Sequence, residues 1–411
     1  MDSVREQTLD FGSPEFLADP YPAYRRLRER GPLVRDEHGL WLITDYATCA
    51  NLLRDKRWGH VDRDPALASA VQPPAMRVKV FPDLDADPWP FMRQNPPDHT
   101  RVRALVQKAF TPRMVEGFAT RIEAMAAGLV DRMVAAGEAD LVTDFAAALP
   151  IRSICARLGV PSQDWTRLRD WSMTYARGFD PGFAAEPGLF ELCQDAAIGL
   201  RDYFTDLIGR RRREPQDDLL SELVAAREGG DFLGDEELVV TTAMLLGAGN
   251  ETSVSLLGNG ALTLLEHPGA LRRFREHPDA TAIEELLRYE SPFQFGDRVA
   301  LEPIRLHDRD IPAGDRALFL VGSANRDPAV FAEPDTPDLT RSPNRHLSFG
   351  GGIHFCVGAP LARLQGRIAL RTLFERAPGI RLAGPPIRSG TAWNRGLRSV
   401  PVRLNHRKEL P

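Results

Sequence analysis

The sequence predicts a mostly α-helical protein with a smaller β-rich part. Apolar residues recur at helical spacing through most of residues 114–230. Residues 235–266 form an apolar stretch suited to one helix of about 32 residues, which is roughly 48 Å at the standard rise. Short strands are predicted within residues 33–44, 291–315 and 397–404, where alternating apolar residues or turn residues mark the chain.

The N-terminal elements are predicted from caps and turns. Residues 15–31 predict one amphipathic helix, with Asp19 as its cap and Gly31 at its end. Residues 33–44 predict a β-hairpin that turns at His38-Gly39. The chain therefore begins with a helix followed by two strands.

A proline-rich segment, residues 58–97, has little periodicity of either kind. A loop of this length inside a compact domain is usually functional or disordered. It contains Trp89 and Phe91, and these aromatic residues favour a lid or pocket wall over a plain linker.

Composition and charge narrow the class of protein. The chain has 411 residues, 43% of them hydrophobic and 27% charged, as expected for a globular protein with a large core. Its length alone favours two or three domains. A formal net charge of −5 argues against a nucleic-acid-binding protein. The four cysteines never form a Cys-x-x-Cys pair, which argues against a disulfide framework or zinc site and favours the reducing cytoplasm.

One stretch bears on membrane attachment. The polar N-terminus lacks the apolar core of a signal peptide, but residues 238–265 are long enough to span a bilayer. They contain Asn250, Glu251 and several Ser and Thr, and their flanks are acidic without a basic anchor. This pattern favours a long helix buried in a globular protein, so we expect no membrane span.

A glycine-rich loop precedes the last long predicted helix. Residues 349–363 have the sequence Phe-Gly-Gly-Gly-Ile-His-Phe-Cys-Val-Gly-Ala-Pro-Leu-Ala-Arg. The glycines let the backbone approach a ligand closely. Cys356 lies where the loop enters the helix, so backbone N–H groups and the positive helix end can stabilise a thiolate. Such a thiolate is a metal ligand or a nucleophile; a buried cysteine in a glycine-rich turn is the simpler alternative.

The centre of the predicted long helix has an unusual composition for a helix interior. Gly247 and Gly249 cost about 2 kcal/mol relative to alanine. Asn250 and Glu251 lie in an otherwise apolar segment, where an unpaired carboxylate needs water, a partner or proton exchange. A local opening of the helix beside a ligand accounts for all four residues. A kink tolerated for packing accounts for the glycines but not for Glu251.

These motifs resemble those of the cytochrome P450 family, in the same order along the chain. The pattern Phe-Gly-x-Gly-x-His-x-Cys-x-Gly in residues 349–358 resembles the family's haem-binding signature. Residues 248–252, Ala-Gly-Asn-Glu-Thr, resemble its oxygen-activation motif. Glu285 and Arg288 resemble its Glu-x-x-Arg element on a helix predicted for residues 279–290. A helix that opens at Pro97 carries the matching His and Arg pair. The resemblance covers nearly the whole chain.

The resemblance implies the cytochrome P450 fold, a mostly α protein with a smaller β-rich part and a long central helix across a haem. It implies a single domain over residues 1–411, against the length-based expectation. The implied cofactor is haem b (iron protoporphyrin IX), with Cys356 as the thiolate ligand of its iron. The implied cofactor-binding residues are His99, Arg103, Ala248, Gly249, Arg298, Phe349, Gly350, His354, Cys356 and Gly358.

The implied activity is that of a monooxygenase that inserts one oxygen atom from O2 into an apolar small molecule, a natural-product intermediate. Glu251 and Thr252 are the implied catalytic residues, because the acid and the alcohol manage proton delivery. Glu285, Arg288 and Arg341 form an implied structural triad. Two alternatives stay open: a peroxide-dependent peroxygenase, which typically lacks the acid–threonine pair, and a non-catalytic haem-thiolate sensor or carrier, which has no evident need of it.

The resemblance also implies a substrate pocket and a partner. The pocket's aromatic content indicates an apolar substrate of unspecified identity, and electrons are expected from an external ferredoxin and ferredoxin reductase. A basic surface near Cys356, formed by Arg101, Lys108, Arg345 and Arg367, is the hypothesised ferredoxin site. The implied pocket residues are Trp89, Phe91, Leu245, Ala248, Phe293, Phe295 and Trp393.

Overall fold

The computed structural model describes residues 9–37, 39–60, 89–178 and 187–404. His38 of the expected hairpin turn and residues 61–88 of the expected lid lie outside this part of the chain. So do residues 179–186, within a break between predicted helices.

Helices dominate the described part of the chain, as the sequence predicts. Several begin at side-chain caps: Asp45 accepts a hydrogen bond from the Thr48 N–H at 2.7 Å, and Asp279 from the Ala282 N–H at 3.0 Å. The described helices are α1 (Pro14–Ala18), α2 (Tyr21–Arg30), α3 (Tyr46–Leu52), α4 (Asp98–Lys108), α5 (Pro112–Gly117), α6 (Ala119–Ala136), α7 (Ala148–Arg157), α8 (Trp165–Arg177), α9 (Leu189–Arg213), α10 (Leu219–Ala225), α11 (Asp235–Glu266), α12 (Pro268–Glu276), α13 (Ala280–Tyr289), α14 (Val321–Ala324) and α15 (Ala359–Arg376).

The single helix predicted for residues 15–31 is wrong, since α1 and α2 are separate. Pro20 lies at the break, and proline disfavours a helical conformation in the residue before it. Asp19 ends α1 and accepts a hydrogen bond from the Tyr21 N–H at 3.1 Å, which starts the next helix. Gly31 ends α2, as predicted.

Short strands form four small sheets in the described residues. The largest has the order β1-β2-β8-β5-β3, in which β2 and β8 are parallel and the other pairs antiparallel. The predicted hairpin is confirmed by the pairing of β1 with β2. The strands are β1 (Leu33–Arg35), β2 (Trp41–Ile43), β3 (Trp58–Gly59), β4 (Glu138–Asp140), β5 (Gly296–Ala300), β6 (Ile304–Leu306), β7 (Arg309–Ile311), β8 (Arg316–Phe319), β9 (Arg381–Leu382), β10 (Ile387–Arg388), β11 (Leu397–Ser399) and β12 (Pro401–Arg403).

The strand predicted for residues 397–404 divides between two sheets. β11 pairs with β10, whereas β12 pairs with both β4 and β9. Val400 lies between them, and its N–H donates to the Asp140 carboxylate at 3.2 Å. The chain therefore changes sheet at one residue.

The long helix α11 joins two parts of the hydrophobic core. Its first half contributes Leu246 to a cluster that includes Phe204 of α9. Its second half contributes Leu256 to a cluster that includes Leu370 of α15. Fully burying a leucine side chain stabilises a fold by about 1.5–3 kcal/mol, so packing along both halves holds the helix in place. Among the described residues, no helix is long and apolar enough to cross a membrane.

Candidate active site

The glycine-rich loop before α15 has a backbone that only glycine permits at one position. Gly352 has φ of 61°, and a Cβ there would lie 2.0 Å from the carbonyl oxygen of Leu53. The loop closes on itself, because the Cys356 N–H donates to the Phe349 carbonyl at 2.9 Å and the Phe355 N–H to the Gly352 carbonyl at 3.2 Å. This geometry fixes the position of Cys356 at the entrance to α15.

Cys356 is the exposed cysteine of the four, and the other three are buried. Its surroundings are nonetheless protein, since burial is the largest influence on its thiol and raises the pKa. Hydrogen bonds from the Gly358 and Ala359 N–H groups and the charges of Arg103 and Arg363 act in the opposite direction and favour the thiolate.

Two histidines lie against each other near this loop. The ring centroids of His99 on α4 and His354 are 4.3 Å apart. Burial, assisted by nearby arginine charges, lowers the pKa of His99 to about 4 and that of His354 to about 3. His99 Nε2 and His354 Nδ1 are buried and have no hydrogen-bond partner among the described residues. Leaving a buried polar group unpaired costs about 1–3 kcal/mol, so this pair is suited to an acceptor from outside the chain.

Two arginines, the buried Arg298 and the half-buried Arg103, add positive charge to the same region. Burial lowers the pKa of Arg298 to about 10, an effect that Asp297 opposes and Arg93 reinforces. Arg298 and Arg103 both act on the two histidines. Arg103 also donates to the Phe355 carbonyl at 2.6 Å, which joins α4 to the cysteine loop. The cluster is rich in donors, and a carboxylate-bearing ligand is its natural complement.

The middle of α11 presents a small-residue surface. Ala248 is exposed although its neighbours Leu245 and Leu246 are buried, and a Cβ added at Gly247 would meet nothing within 4 Å. An exposed alanine in a helix buried on either side of it borders an open space. The Thr252 hydroxyl donates to the Ala248 carbonyl at 2.8 Å.

The local opening predicted in this helix is wrong. α11 is α-helical without interruption from Asp235 to Glu266. Tertiary packing of the buried leucines on both sides stabilises the helix and offsets the low helix propensity of the two glycines. The small residues therefore leave room beside an intact helix, and Glu251 is half-buried within it.

The cysteine loop and α11 belong to the same two core clusters. Val357 packs against the cluster that contains Leu245, whereas Phe349 packs against the cluster that contains Leu256. The loop and α11 therefore contribute to the same two parts of the core.

Comparison with known proteins identifies this arrangement. The family model for cytochrome P450 matches residues 279–376. The polyketide biosynthesis cytochrome P450 PksS of Bacillus subtilis is 39% identical over 406 residues, which cover 95% of this chain and 97% of that protein. This chain belongs to the cytochrome P450 family. The cytochrome P450 monooxygenase PikC of Streptomyces venezuelae is also 39% identical, with coverage of 98% and 95%.

Solved structures agree with the family assignment. The structure of P450BioI in complex with hexadec-9Z-enoic acid ligated acyl carrier protein matches with a TM-score of 0.86 and 36% identity. The match covers 95% of this chain and 99% of that one. The predicted fold, mostly α with a smaller β-rich part, is confirmed. The protein is a P450 monooxygenase and its cofactor is haem b.

The described residues of this P450 fit haem b. The carboxylates of a bound haem would supply the acceptors that the His99 and His354 ring nitrogens lack, and they would balance the charge of the buried Arg298. The Cys356 sulfur is accessible and lies beside backbone donors, as a thiolate ligand of iron requires. Ala248 leaves open space along α11. Gly350 and Gly358 lie within the cysteine loop, and Gly249 packs against Ile154, where a Cβ would be 3.5 Å from its side chain.

The structure brings the predicted structural triad together. Arg288 donates to both carboxylate oxygens of Glu285 at 2.8 Å, and both side chains are fully buried. Arg341 donates to the same oxygens at 3.1 and 3.2 Å. Asn344, which sequence analysis missed, adds a bond at 2.9 Å, and the Asp338 N–H adds another at 2.8 Å. A single carboxylate thus joins α13 to the segment before the cysteine loop.

Residues predicted to line the pocket have different environments in the described part. The Gln294 N–H donates to the Trp393 carbonyl at 2.8 Å, which brings the segment around Phe293 beside the one around Trp393. Phe295 packs on Phe11 with centroids 4.7 Å apart, and Phe91 is buried with its ring 6.3 Å from His99. Leu245 is buried and Trp89 half-buried.

Two of the four basic residues of the hypothesised ferredoxin site form ion pairs with acidic residues of the same chain. Arg101 pairs with Asp231 and Glu237, and Lys108 pairs with Glu228. Arg345 and Arg367 are exposed. Two of the four charges are therefore compensated within the protein by acidic residues more than 100 positions away, which charge counting along the sequence could not reveal.

Further residues at the edge of the histidine cluster belong to no sequence motif. Arg93 donates to Asp297 at 2.7 Å and Arg316 donates to it at 3.2 Å. Burial raises the pKa of Asp297, but Arg93 and Arg316 overcome that effect and hold it well below its ordinary value. His60 lies beside His354 with ring centroids 5.0 Å apart. The one sequence signal for this group is the adjacency of Asp297 to Arg298.

Proposed function

We propose that this P450 inserts one atom of O2 into an apolar natural-product intermediate, with electrons from a ferredoxin and its reductase. The observation that carries the proposal is that Ala248 on α11 is exposed, with Glu251 and Thr252 within one turn of it. A protein that only binds haem has no need of an acid and an alcohol at this place. The absence of a spanning helix among the described residues is compatible with a cytoplasmic location.

Each site residue has a separate role in the proposed reaction. Haem b, when bound, supplies a thiolate-ligated iron that activates dioxygen. Cys356 provides the thiolate, and the Gly358 and Ala359 N–H groups stabilise its charge. The Thr252 hydroxyl donates a hydrogen bond to the Ala248 carbonyl at 2.8 Å, so its oxygen lone pairs are free to accept a hydrogen bond from a water molecule. Glu251, half-buried one residue earlier, exchanges protons with solvent and passes them to this point.

The substrate class is supported by chemistry and by relatives. The predicted pocket residues are mainly aromatic or aliphatic, which suits an apolar ligand. PksS is named for polyketide biosynthesis, and two further relatives are named 6-deoxyerythronolide B hydroxylase and mycinamicin IV hydroxylase/epoxidase. A ligand of this kind, free or attached to a carrier protein as in the P450BioI complex, is our proposal for this chain.

Thr252→Ala is expected to reduce product formation at least 10-fold while NADPH oxidation with surrogate ferredoxin partners continues. Without the hydroxyl, protons are no longer delivered to one defined position. Reduced oxygen is then released as hydrogen peroxide, and the electrons from NADPH form no product. The measurement compares product, NADPH and peroxide for the wild type, Thr252→Ala and Thr252→Ser, which retains the hydroxyl. Labelled oxygen from ¹⁸O2 should appear in the product of the wild type.

The same assay tests the two alternative functions. A peroxygenase would form product from hydrogen peroxide alone and be indifferent to Thr252→Ala. A sensor or carrier would bind apolar ligands, with a change in the absorption spectrum, and would oxidise no NADPH with any of them. Either pattern would overturn the proposed monooxygenase reaction.

Replacing Arg345 and Arg367 together with glutamate is expected to slow reduction by ferredoxin about 10-fold at low ionic strength. Both guanidinium groups are exposed, and opposite charges on an acidic partner accelerate association. Stopped-flow reduction rates at several salt concentrations give the measurement. Lys108→Gln is the control, since its charge is already paired with Glu228. Equal rates for the wild type and the double variant, with equal haem content, would remove this surface from the proposed docking site.

A further inference from the structure

His60 is held in place by one side chain at the end of β3. The His60 N–H donates to Asn95 Oδ1 at 2.9 Å, and Asn95 Nδ2 donates to the His60 carbonyl at 2.8 Å. A Cβ on Gly59 would lie 2.6 Å from Asn95 Oδ1, so the glycine permits this close approach. Both backbone groups of His60 are thereby satisfied, and its position does not depend on its ring.

The ring of His60 has no such partners. The residue is 3% exposed, and neither Nδ1 nor Nε2 has a hydrogen-bond partner among the described residues. A neutral imidazole carries one donor and one acceptor, and buried groups of both kinds are normally paired. An apolar side chain would fill this space without that cost. The unpaired nitrogens therefore indicate that the ring has a partner outside the chain.

The position of the ring indicates what that partner is. His60 lies edge-on to His354 at 5.0 Å, and His354 lies 4.3 Å from His99. The charges of Arg93 and Arg298 act on His60, and the nearby carboxylate, Asp297, is occupied by Arg93 and Arg316. The three imidazoles thus share one buried region that has more donors than acceptors.

We propose that His60 is a further haem-binding residue, which donates a ring N–H to one of the two haem propionates beside His354. The inference rests on haem b as the cofactor and is independent of the substrate and electron donor proposed above. His60 completes a group of three histidines and two arginines, with His99, His354, Arg103 and Arg298. Two carboxylates have enough lone pairs to accept from all five side chains.

The test separates hydrogen bonding from packing in the resting ferric holoprotein, with no substrate or ferredoxin present. His60→Phe keeps a ring and removes both nitrogens, whereas His60→Gln keeps an amide donor. Trp58→Phe is the matched control, since Trp58 lies two residues before His60, on β3, and packs in a separate apolar cluster. Two quantities are measured: the rate of haem transfer to excess apomyoglobin, and the propionate bending band in the resonance Raman spectrum.

His60→Phe is expected to transfer haem about 10-fold faster than the wild type, the effect of losing one charge-assisted hydrogen bond, and to shift the propionate band. His60→Gln should remain close to the wild type in both quantities, and Trp58→Phe should leave the band unchanged. If His60→Phe does not accumulate as holoprotein, His60→Asn replaces it, because its shorter amide does not reach the same acceptor. An unchanged band and transfer rate would overturn the proposal, as would equal effects of the phenylalanine and glutamine variants, which would show a packing role.

Discussion

Glu285→Gln is expected to destabilise the folded protein by about 3–5 kcal/mol, the usual cost of removing one partner from a buried ion pair. The change leaves Arg288, which is fully buried, without its counter-charge. It also turns an amide NH2 toward side chains and a backbone N–H that are all donors, namely Arg341, Asn344 and Asp338. Repulsion between donors therefore adds to the lost attraction.

The measurement is the free energy of unfolding from urea denaturation, followed by circular dichroism. Glu123→Gln is the matched control, because Glu123 pairs with Arg371 at the surface with side chains 55% and 36% exposed. Exposed pairs contribute about 0–1 kcal/mol, so this control should be nearly neutral. If Glu285→Gln lost no more stability than Glu123→Gln, the carboxylate at the centre of the triad would not be structural.

Cys356→Ala is expected to abolish the red-shifted Soret band of the reduced, carbon monoxide-bound protein, together with NADPH-driven product formation. The reason is that the sulfur supplies the thiolate, and the donors around it, the Gly358 and Ala359 N–H groups, have no other charge to stabilise. The absorption spectrum of the purified protein and its haem content provide the measurement. Activity should fall below detection even where some haem remains bound.

Cys193→Ala is the control for removing a thiol. Cys193 is buried in a small cluster with Leu189 and Ala197, on α9. Its loss should reduce stability slightly and leave the spectrum intact. A Soret band in Cys356→Ala that matches the wild type would exclude Cys356 as the iron ligand and assign the loop a structural role.

The sequence predicted elements best where one apolar pattern runs between clear ends. α11 has the predicted bounds, Asp235–Glu266, because an acidic first turn accompanies a continuous apolar stretch. α15 follows the cysteine loop, as predicted, and has a proline near its start. Predictions failed where a single residue determines the point at which an element ends. Pro20 divides the first helix, and Val400 moves the chain from one sheet to another.

The candidate site shows a similar contrast between residues in a local sequence motif and residues that only tertiary contacts bring together. Cys356, His99 and His354 were predicted because short motifs carry them. The pairs that complete the site join distant segments: Arg93 and Asp297 are 204 residues apart, and no local pattern marks their approach. His60 was missed for the same reason, because its place in the histidine cluster depends on contact with His354, which lies near the other end of the chain.

The placement of β12 has a consequence for how the protein is made. β12 is the middle strand of its sheet, with β4 on one side and β9 on the other. The carboxylate of Asp140, the last residue of β4, accepts a hydrogen bond from a backbone N–H 260 residues later in the chain. During synthesis on the ribosome this sheet cannot form until residue 403 has emerged, so β4 remains without its strand partner for most of translation. The unpaired edge of β4 is therefore exposed in nascent chains until the last strand is made.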